Sequence, residues 1–392
     1  MATLFIIVIY LAFISLGLPD SILGASWTVL QHDINASFET AGILSMTVSA
    51  GTIISSLLSE RLIKKFGTGK VTFLSVLATA LALLGTAFTP SFFFLLVLAI
   101  PLGLGAGSVD AALNNYVALH YKPHHMSWLH CFWGVGATIG PMIMAGFLQK
   151  NNNWRSGYLT ISIIQFILVL ILFITLPMWD KISANSDANQ VNLNINDERN
   201  SNLPVFKIKG VTMALLTFLF YCGIESSVGL WGSSYLVHIK DMTPATAARW
   251  VSMFYAGITI GRFITGFITM KLSSKQLIRY GQMILFVGIL LLLLPGNAVY
   301  SLIAFILIGL GCAPIYPCMI HETPTRFGKT QSQKIIGLQM ACAYTGSTFL
   351  PPILGFATSR TSLLILPVFL LVYIIAMLFC SERINVLMKH SI

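Results

Sequence analysis

Long apolar runs are the feature that most limits how this chain of 392 residues can fold. A helix needs roughly 20 mainly apolar residues to cross a bilayer. Backbone groups in lipid must be paired inside the protein, and a helix pairs them within its own segment. The sequence therefore predicts an all-α membrane protein with twelve transmembrane helices, near residues 3–30, 38–58, 69–88, 91–117, 126–149, 156–178, 209–237, 245–270, 275–294, 297–320, 333–357 and 361–380.

The distribution of charge predicts the orientation of these helices. Only 9% of the residues are charged, against about 25% in soluble domains. The first run lacks a basic start and a small-residue cleavage site, which indicates a span and not a signal peptide. If the N-terminus lies in the cytoplasm, the loops on the outer side hold only five of the 23 basic residues, namely Lys150, Arg155, Lys240, Arg249 and Arg360. Because basic residues favour the cytoplasmic side, we expect a multi-pass protein of the cell membrane with both termini in the cytoplasm.

One long interruption divides the chain. Residues 179–206 are rich in Asn, Asp and Ser and have no apolar period, which is typical of a flexible linker. We therefore expect an N-terminal six-helix bundle over 1–178, a cytoplasmic linker over 179–206, and a C-terminal six-helix bundle over 207–392.

The two predicted bundles repeat one another. An offset of 206 residues relates Gly17 to Gly223, Gly51 to Gly257 and Gly103-Leu-Gly105 to Gly309-Leu-Gly311, and an offset of 210 relates Gly136, Thr138, Pro141 and Ile143 to Gly346, Thr348, Pro351 and Ile353. Several matches in the same order indicate a duplication. Two pseudo-symmetric bundles with a site between them are the architecture of many secondary transporters.

Each half carries an acid inside an apolar run. Asp20 stands in "GLPDSILGASW" (17–27) and Glu225 in "GIESSVGLW" (223–231). A carboxylate at the centre of a bilayer costs about 2.5–3.5 kcal/mol and usually faces a partner or a water-filled path. Pro19 and Gly24 loosen the first helix and give water access to it. We interpret both acids as candidates for proton coupling; the alternative is a structural acid hydrogen-bonded between helices.

Three further polar residues are candidates for coupling or gating. Asp110 lies one helical turn from Asn114, so it is equally a coupling acid or half of a structural hydrogen bond. His130 could relay protons because histidine titrates near neutral pH, or could extend a polar tip towards the membrane surface. Arg262 is expected to pair with a carboxylate or to cap helix ends at an inner gate.

Polar and aromatic residues in the spans suggest the chemistry of the substrate. Aromatic faces, amides and hydroxyls together suit a sugar ring, although Tyr and Trp also form interfacial belts in any membrane protein. No cluster of buried Lys or Arg is evident, which argues against a strongly anionic substrate. The candidate substrate-binding residues, with Trp231, Asn114 and Gln339 foremost, are Asn114, Asn115, Trp133, Trp231, Tyr235, Tyr255, Tyr316, Gln339 and Tyr344.

Four stretches carry a resemblance to a known family: "GLPDSILGASW", "GAGSVDAALNNYVALHY", "MSWLHCFWGVGATIGP" and "GIESSVGLWGSSYL". With the twelve-span pattern, they make the chain resemble the major facilitator superfamily, and within it the sugar–proton symporters related to bacterial fucose permease. The resemblance implies a proton-handling acid at Asp20 and a second acid at Asp110, where the family usually has Glu. The superfamily's loop after the second span is degraded here to "ERLIKKFGTGK", which keeps only Lys65 and Gly67 of the usual pattern.

These observations favour a secondary transporter that moves a small polar solute, with a sugar as the expected class, by proton-coupled alternating access. A Gly-x-x-x-Gly-Pro pattern at 136–141 resembles drug–proton antiporters, so proton-driven efflux of small amphipathic compounds is the alternative. A membrane sensor is a third, weaker reading, since no docking domain is evident. No nucleophile motif or metal spacing is evident. We expect no enzyme activity, cofactor, metal or nucleic-acid partner, and a monomer in the lipid bilayer.

Overall fold

The computed structural model describes residues 2–120, 123–150, 153–187, 206, 208–269, 271–294, 298–327 and 329–389. Almost all of them are helical, as the apolar runs predict. The helices are α1 (Ala2–Asp20), α2 (Ile22–Asp33), α3 (Thr40–Phe66), α4 (Thr68–Ala87), α5 (Phe92–His120), α6 (Pro123–Gln149), α7 (Trp154–Asp187), α8 (Val211–Lys240), α9 (Pro244–Ile268), α10 (Ser274–Leu293), α11 (Ala298–Phe327), α12 (Lys329–Arg360) and α13 (Leu366–Lys389).

The first predicted span is a broken helix. α1 ends at Asp20, Ser21 forms a turn, and α2 begins at Ile22, so that Ile6–Asp33 crosses as one segment. The break follows Pro19, which lacks the N–H that a continuous helix would use. The corresponding helix of the second half, α8, is continuous over 30 residues.

Eleven segments of the described chain, with α1 and α2 counted together, are long and apolar enough to cross a membrane. The predicted run at 333–357 lies in α12, which has 32 residues but is not among the eleven. Its Gln, Ser, Thr and Lys residues lower the hydropathy. α12 nevertheless packs between α8 and α3 inside the bundle. The number of long helices thus agrees with the prediction, whereas the hydropathy of α12 does not.

The predicted linker begins with helix. α7 continues to Asp187, and Trp179, the first residue of the predicted linker, is buried against Gly69 at the start of α4. Residues 188–205 and 207 lie outside the described residues. The first residues of the 179–206 segment are therefore part of the N-terminal bundle, because an indole packs there.

The two halves pack their helices in the same way, which follows from the repeat. In the first half α3 packs on α5, α4 on α5 and α7, and α1 on α6; in the second, α9 packs on α11, α10 on α11 and α13, and α8 on α12. The repeated glycines lie at matching crossings. A methyl group on Gly103 would collide with the carbonyl of Val48, and one on Gly309 with the carbonyl of Phe254, 206 residues further along. These glycines allow the helix backbones to touch.

We name the distal face the end of the bundle at which α2, α4, α6, α8 and α12 finish, and the two halves contact one another there. α2 packs on α8, α6 on α9 and α3 on α12. Near this face, Gly24 lies against the backbone of Gly229 and Leu230. The hydroxyl of Ser252 donates a hydrogen bond to the carbonyl of Thr138 (2.7 Å).

An aromatic contact closes the distal face, and we name Trp27, Phe38 and Trp231 the distal latch. The indole N–H of Trp27 donates to the carbonyl of Phe38 (3.0 Å). The Phe38 ring stacks on Trp231 of the other half, with centroids 4.7 Å apart. Trp231 in turn donates to the carbonyl of Pro351 (2.8 Å). The two motif tryptophans thus hold a contact that must break if this face opens.

Candidate functional site

A cavity of about 350 Å³ lies between the two halves. Its wall comes from the break between α1 and α2, from α3 to α6, and from α7, α8, α9 and α12. Sites for small molecules measure roughly 300–1,000 Å³, so the cavity is large enough for one small solute. The sequence-predicted residues that line it are Asp20, Trp133, Glu225, Tyr255 and Tyr344.

Asp20 faces the cavity at the broken point of the first span. Its side chain is exposed although the residue lies in the middle of a membrane-crossing segment, because the cavity reaches it. Oδ2 accepts a hydrogen bond from the indole N–H of Trp133 (2.8 Å). An indole is a neutral donor, so this contact orients the carboxylate and leaves its charge in place.

Glu225 and Arg262 form the second part of the site. A guanidinium nitrogen of Arg262 lies 3.7 Å from Oε1 of Glu225, and both side chains are largely buried, at 11% and 17% exposed. The guanidinium also lies over the Trp133 ring, 5.3 Å from its centroid. Arg262 therefore does pair with a carboxylate, as one of the two sequence interpretations has it, and it does so beside the cavity.

Trp133 connects the two acids. Its N–H reaches Asp20 while its ring face meets the cation that pairs with Glu225. The Tyr255 ring stands across Trp133, with centroids 6.4 Å apart and planes at 75°. A change of charge on either acid therefore alters the electrostatic environment of the Trp133 side chain in the cavity wall.

Asp110 lies behind the cavity wall and joins the two halves. It accepts hydrogen bonds from the amide of Asn114 (2.9 Å) and from the hydroxyl of Tyr344 (3.2 Å). Tyr344 itself lines the cavity, whereas Asp110 and Asn114 do not. The hydrogen bond to Asn114 that the sequence offers as an alternative is therefore present, and Tyr344 adds a link from α12 to α5.

Several predicted site residues lie outside the cavity wall. The His130 ring packs edge-on to Phe13, with centroids 5.8 Å apart. Tyr316 donates to the sulfur of Met340, and Gln339 is buried and accepts from Thr323 (3.0 Å). The side chain of Asn115 lies outside the described residues. Tyr316 and Gln339 use their polar groups inside the protein, so they are not immediate substrate contacts, and His130, the candidate proton relay, does not line the cavity.

The two remaining aromatic candidates are packing residues. Trp231 is fully buried in the distal latch. Tyr235 is buried as well, and its hydroxyl donates to the carbonyl of Leu292 (3.1 Å). Neither lines the cavity. The expectation that Trp231 offers a stacking face to substrate is therefore corrected, because Phe38 already occupies that face.

Sequence reasoning missed the small hydroxyl residues of the wall. Ser45, Ser49 and Thr52 of α3 line the cavity, as do Ser226 and Ser347. The first three recur at intervals of four and three residues, which puts them on one helix face. That periodicity was the available signal, since serine and threonine stand out against an apolar lipid face.

Duplicated bundles of apolar helices with a cavity between them are the architecture of many secondary transporters. Among the described residues, no group of three or more His, Cys, Asp and Glu side chains is placed to hold a metal ion. The sequence model of the Major Facilitator Superfamily matches residues 9–320 and 213–386. The chain belongs to the major facilitator superfamily, as the resemblance in the sequence indicates.

Individual relatives are similar over nearly the whole chain. The glucose/mannose transporter GlcP of Bacillus subtilis (strain 168) is 23% identical over 365 residues, which cover 91% of this chain and 88% of the relative. The cis,cis-muconate transport protein of Acinetobacter baylyi (strain ATCC 33305 / BD413 / ADP1) is 24% identical, covering 90% and 87%. The crystal structure of a D-xylose–proton symporter superposes with a TM-score of 0.74 at 14% identity, covering 95% of this chain and 96% of that one. The last comparison supports the fold.

Proposed function

We propose that the protein carries a neutral hydroxylated solute, a sugar, together with a proton by alternating access. In this proposal the N-terminal bundle, which includes α7 as far as Asp187, and the C-terminal bundle over 207–392 rock about the cavity. We further propose that it works as a monomer in the cell membrane with both termini in the cytoplasm, the orientation that the basic residues favour.

The observation that carries the proposal is the environment of Asp20. It is a carboxylate at the cavity wall, at a helix break, with an indole N–H as its partner. Access to water from one side at a time would let this group load the proton on one side and release it on the other. Glu225 is a weaker candidate because Arg262 already lies beside it.

The side chains of the cavity wall favour a sugar as the solute. The wall presents hydroxyls from α3 together with the aromatic side chains of Trp133, Tyr255 and Tyr344, a set that suits a hydroxylated ring. The relative named for glucose and mannose agrees with this choice. The relative named for muconate, which is an anion, does not. No Lys or Arg belongs to the described cavity wall, so a dianion would find no cation there.

Efflux of amphipathic compounds, the alternative, gains no support from the pattern at 136–141. Methyl groups on Gly136 and Gly140 would collide with Ile14 and Leu18 of α1. Both glycines thus have a sufficient explanation in helix packing.

Transport by the purified protein in proteoliposomes tests the proposal. We expect counterflow of labelled hexose by the wild type, and uphill accumulation when a membrane potential and a proton gradient are imposed. One charge moved through 100 mV supplies about 2.3 kcal/mol, which corresponds to roughly fiftyfold accumulation. Asp20→Asn mimics the protonated acid, so it should keep counterflow and lose accumulation.

Asp241→Asn is the matched control. Asp241 is exposed in the loop after α8 with positive φ, a conformation that Asn tolerates well, so accumulation should persist. Glu225→Gln serves as the parallel test of the second acid. Uphill accumulation by both Asp20→Asn and Glu225→Gln would refute proton coupling through this site, and absence of any hexose counterflow in the wild type would refute the sugar.

A further inference from the structure

We infer that the cavity prefers a sugar that bears an ammonium group over the matching neutral sugar, with Asp20 as the ammonium-binding residue. The inference rests on the proposed function, because it specifies the solute for the same cavity. The relevant property is the charge of the side chains that a bound solute would contact in the cavity.

The cavity wall contains acidic side chains but, among the described residues, no Lys or Arg. Asp20 and Glu225 are the charged side chains among the described residues that line the cavity. Glu225 has Arg262 at 3.7 Å, whereas Asp20 receives a hydrogen bond, among the described residues, only from a neutral indole. One carboxylate facing the cavity is thus left without a cation.

The surroundings of Asp20 favour a cation further. The charged groups close enough to act on it electrostatically include Asp110 on α5 and Glu225 on α8, both acids. Arg262 is directed to Glu225 and to the face of Trp133. A positive group is therefore better accommodated at Asp20 than a negative one.

The geometry of Asp20 leaves room for a donor. Trp133 occupies Oδ2 (2.8 Å), and no described residue donates to Oδ1. An ammonium on the solute could donate to Oδ1 while the ring hydroxyls meet the serine and threonine side chains of α3. A proton on Asp20 with a neutral sugar, and an ionised Asp20 with an ammonium sugar, bring the same total charge into the cavity.

Competition of unlabelled sugars against counterflow of labelled glucose tests this inference. Glucose and glucosamine differ in one substituent, and glucuronate has the opposite charge. At a pH that keeps the amine protonated, we expect glucosamine to compete about tenfold better than glucose, because a charge-assisted hydrogen bond is stronger than a neutral one. Glucuronate should compete worse than glucose.

Asp20→Asn should abolish the preference for glucosamine, measured as the ratio of the two sugars' competition strengths, while Asp241→Asn should retain both this preference and glucose counterflow. Glucosamine competing no better than glucose in the wild type would overturn the inference and leave the sugar proposal intact. A preference that survives in Asp20→Asn would overturn the assignment of the ammonium to Asp20. Absence of counterflow with every sugar would count against the proposed function itself.

Discussion

Truncation of Phe38 should open the distal face. The Phe38 ring stacks on Trp231 across the two halves at 4.7 Å between centroids, and its backbone is fixed separately by Trp27. Phe38→Ala therefore removes the ring contact and leaves the hydrogen bond to the carbonyl in place. Because the ring contact exists only while this face is closed, its loss acts on the equilibrium between closed and open states.

The size of the effect follows from the ring pair. An aromatic pair contributes about 0.5–1.5 kcal/mol beyond its buried area. A loss of about 1 kcal/mol raises the ratio of open to closed molecules about fivefold. Spin labels at Lys150 and Thr361, exposed residues on opposite halves of the distal face, report that ratio as a distribution of distances by electron–electron double resonance.

The control is Phe88→Ala, which truncates an exposed phenylalanine (69% exposed) at the distal end of α4 within one half. It should leave the distances as in the wild type. If Phe38→Ala has the same distance distribution as the wild type while both variants remain folded, the stacked pair does not hold this face closed, and the role given to the latch is wrong.

Two further predictions concern packing and are measured by thermal unfolding in detergent. Gly103→Ala should destabilise the protein by about 1–3 kcal/mol, because its methyl group would meet the backbone of α3, whereas Gly146→Ala, with open space at its Cβ, should not. Trp231→Phe should cost about 1–3 kcal/mol, because it removes the indole hydrogen bond to the carbonyl of Pro351 and part of a fully buried ring. Unchanged sugar binding in that variant would agree with Trp231 lying outside the cavity, and weakened binding in a folded variant would contradict it.

The sequence predicted the class of fold because lipid imposes a strong constraint. Apolar runs of sufficient length must become helices, and the repeated glycines required close helix crossings, which occur at Gly103 and Gly309. Because a carboxylate inside a membrane is energetically costly, it usually faces a partner or a water-filled cavity. Asp20 and Glu225 both line the cavity, as this rule predicts.

The orientation of individual aromatic residues could not be predicted in the same way. A helix that is apolar around its whole circumference gives no reference direction. The sequence pattern therefore does not show which of Trp133 and Trp231 faces the cavity. In the structure Trp133 lines the cavity, whereas Trp231 is buried in the distal latch. Only the tertiary contacts, which involve residues more than a hundred positions away, distinguish them.

The duplication preserved the packing of the two halves and changed their charges. Matching glycines hold matching crossings, but the first helix breaks at Ser21 while α8 is continuous. Glu225 has Arg262 as a partner, whereas position 56, which corresponds to Arg262 in the first half, is a serine. No described Lys or Arg is paired with Asp20, so in our proposal the positive charge that balances it comes from the cavity. A proton and a charged solute are the two ways to supply that charge, which is why the same carboxylate carries both the coupling proposal and the preference for an ammonium sugar.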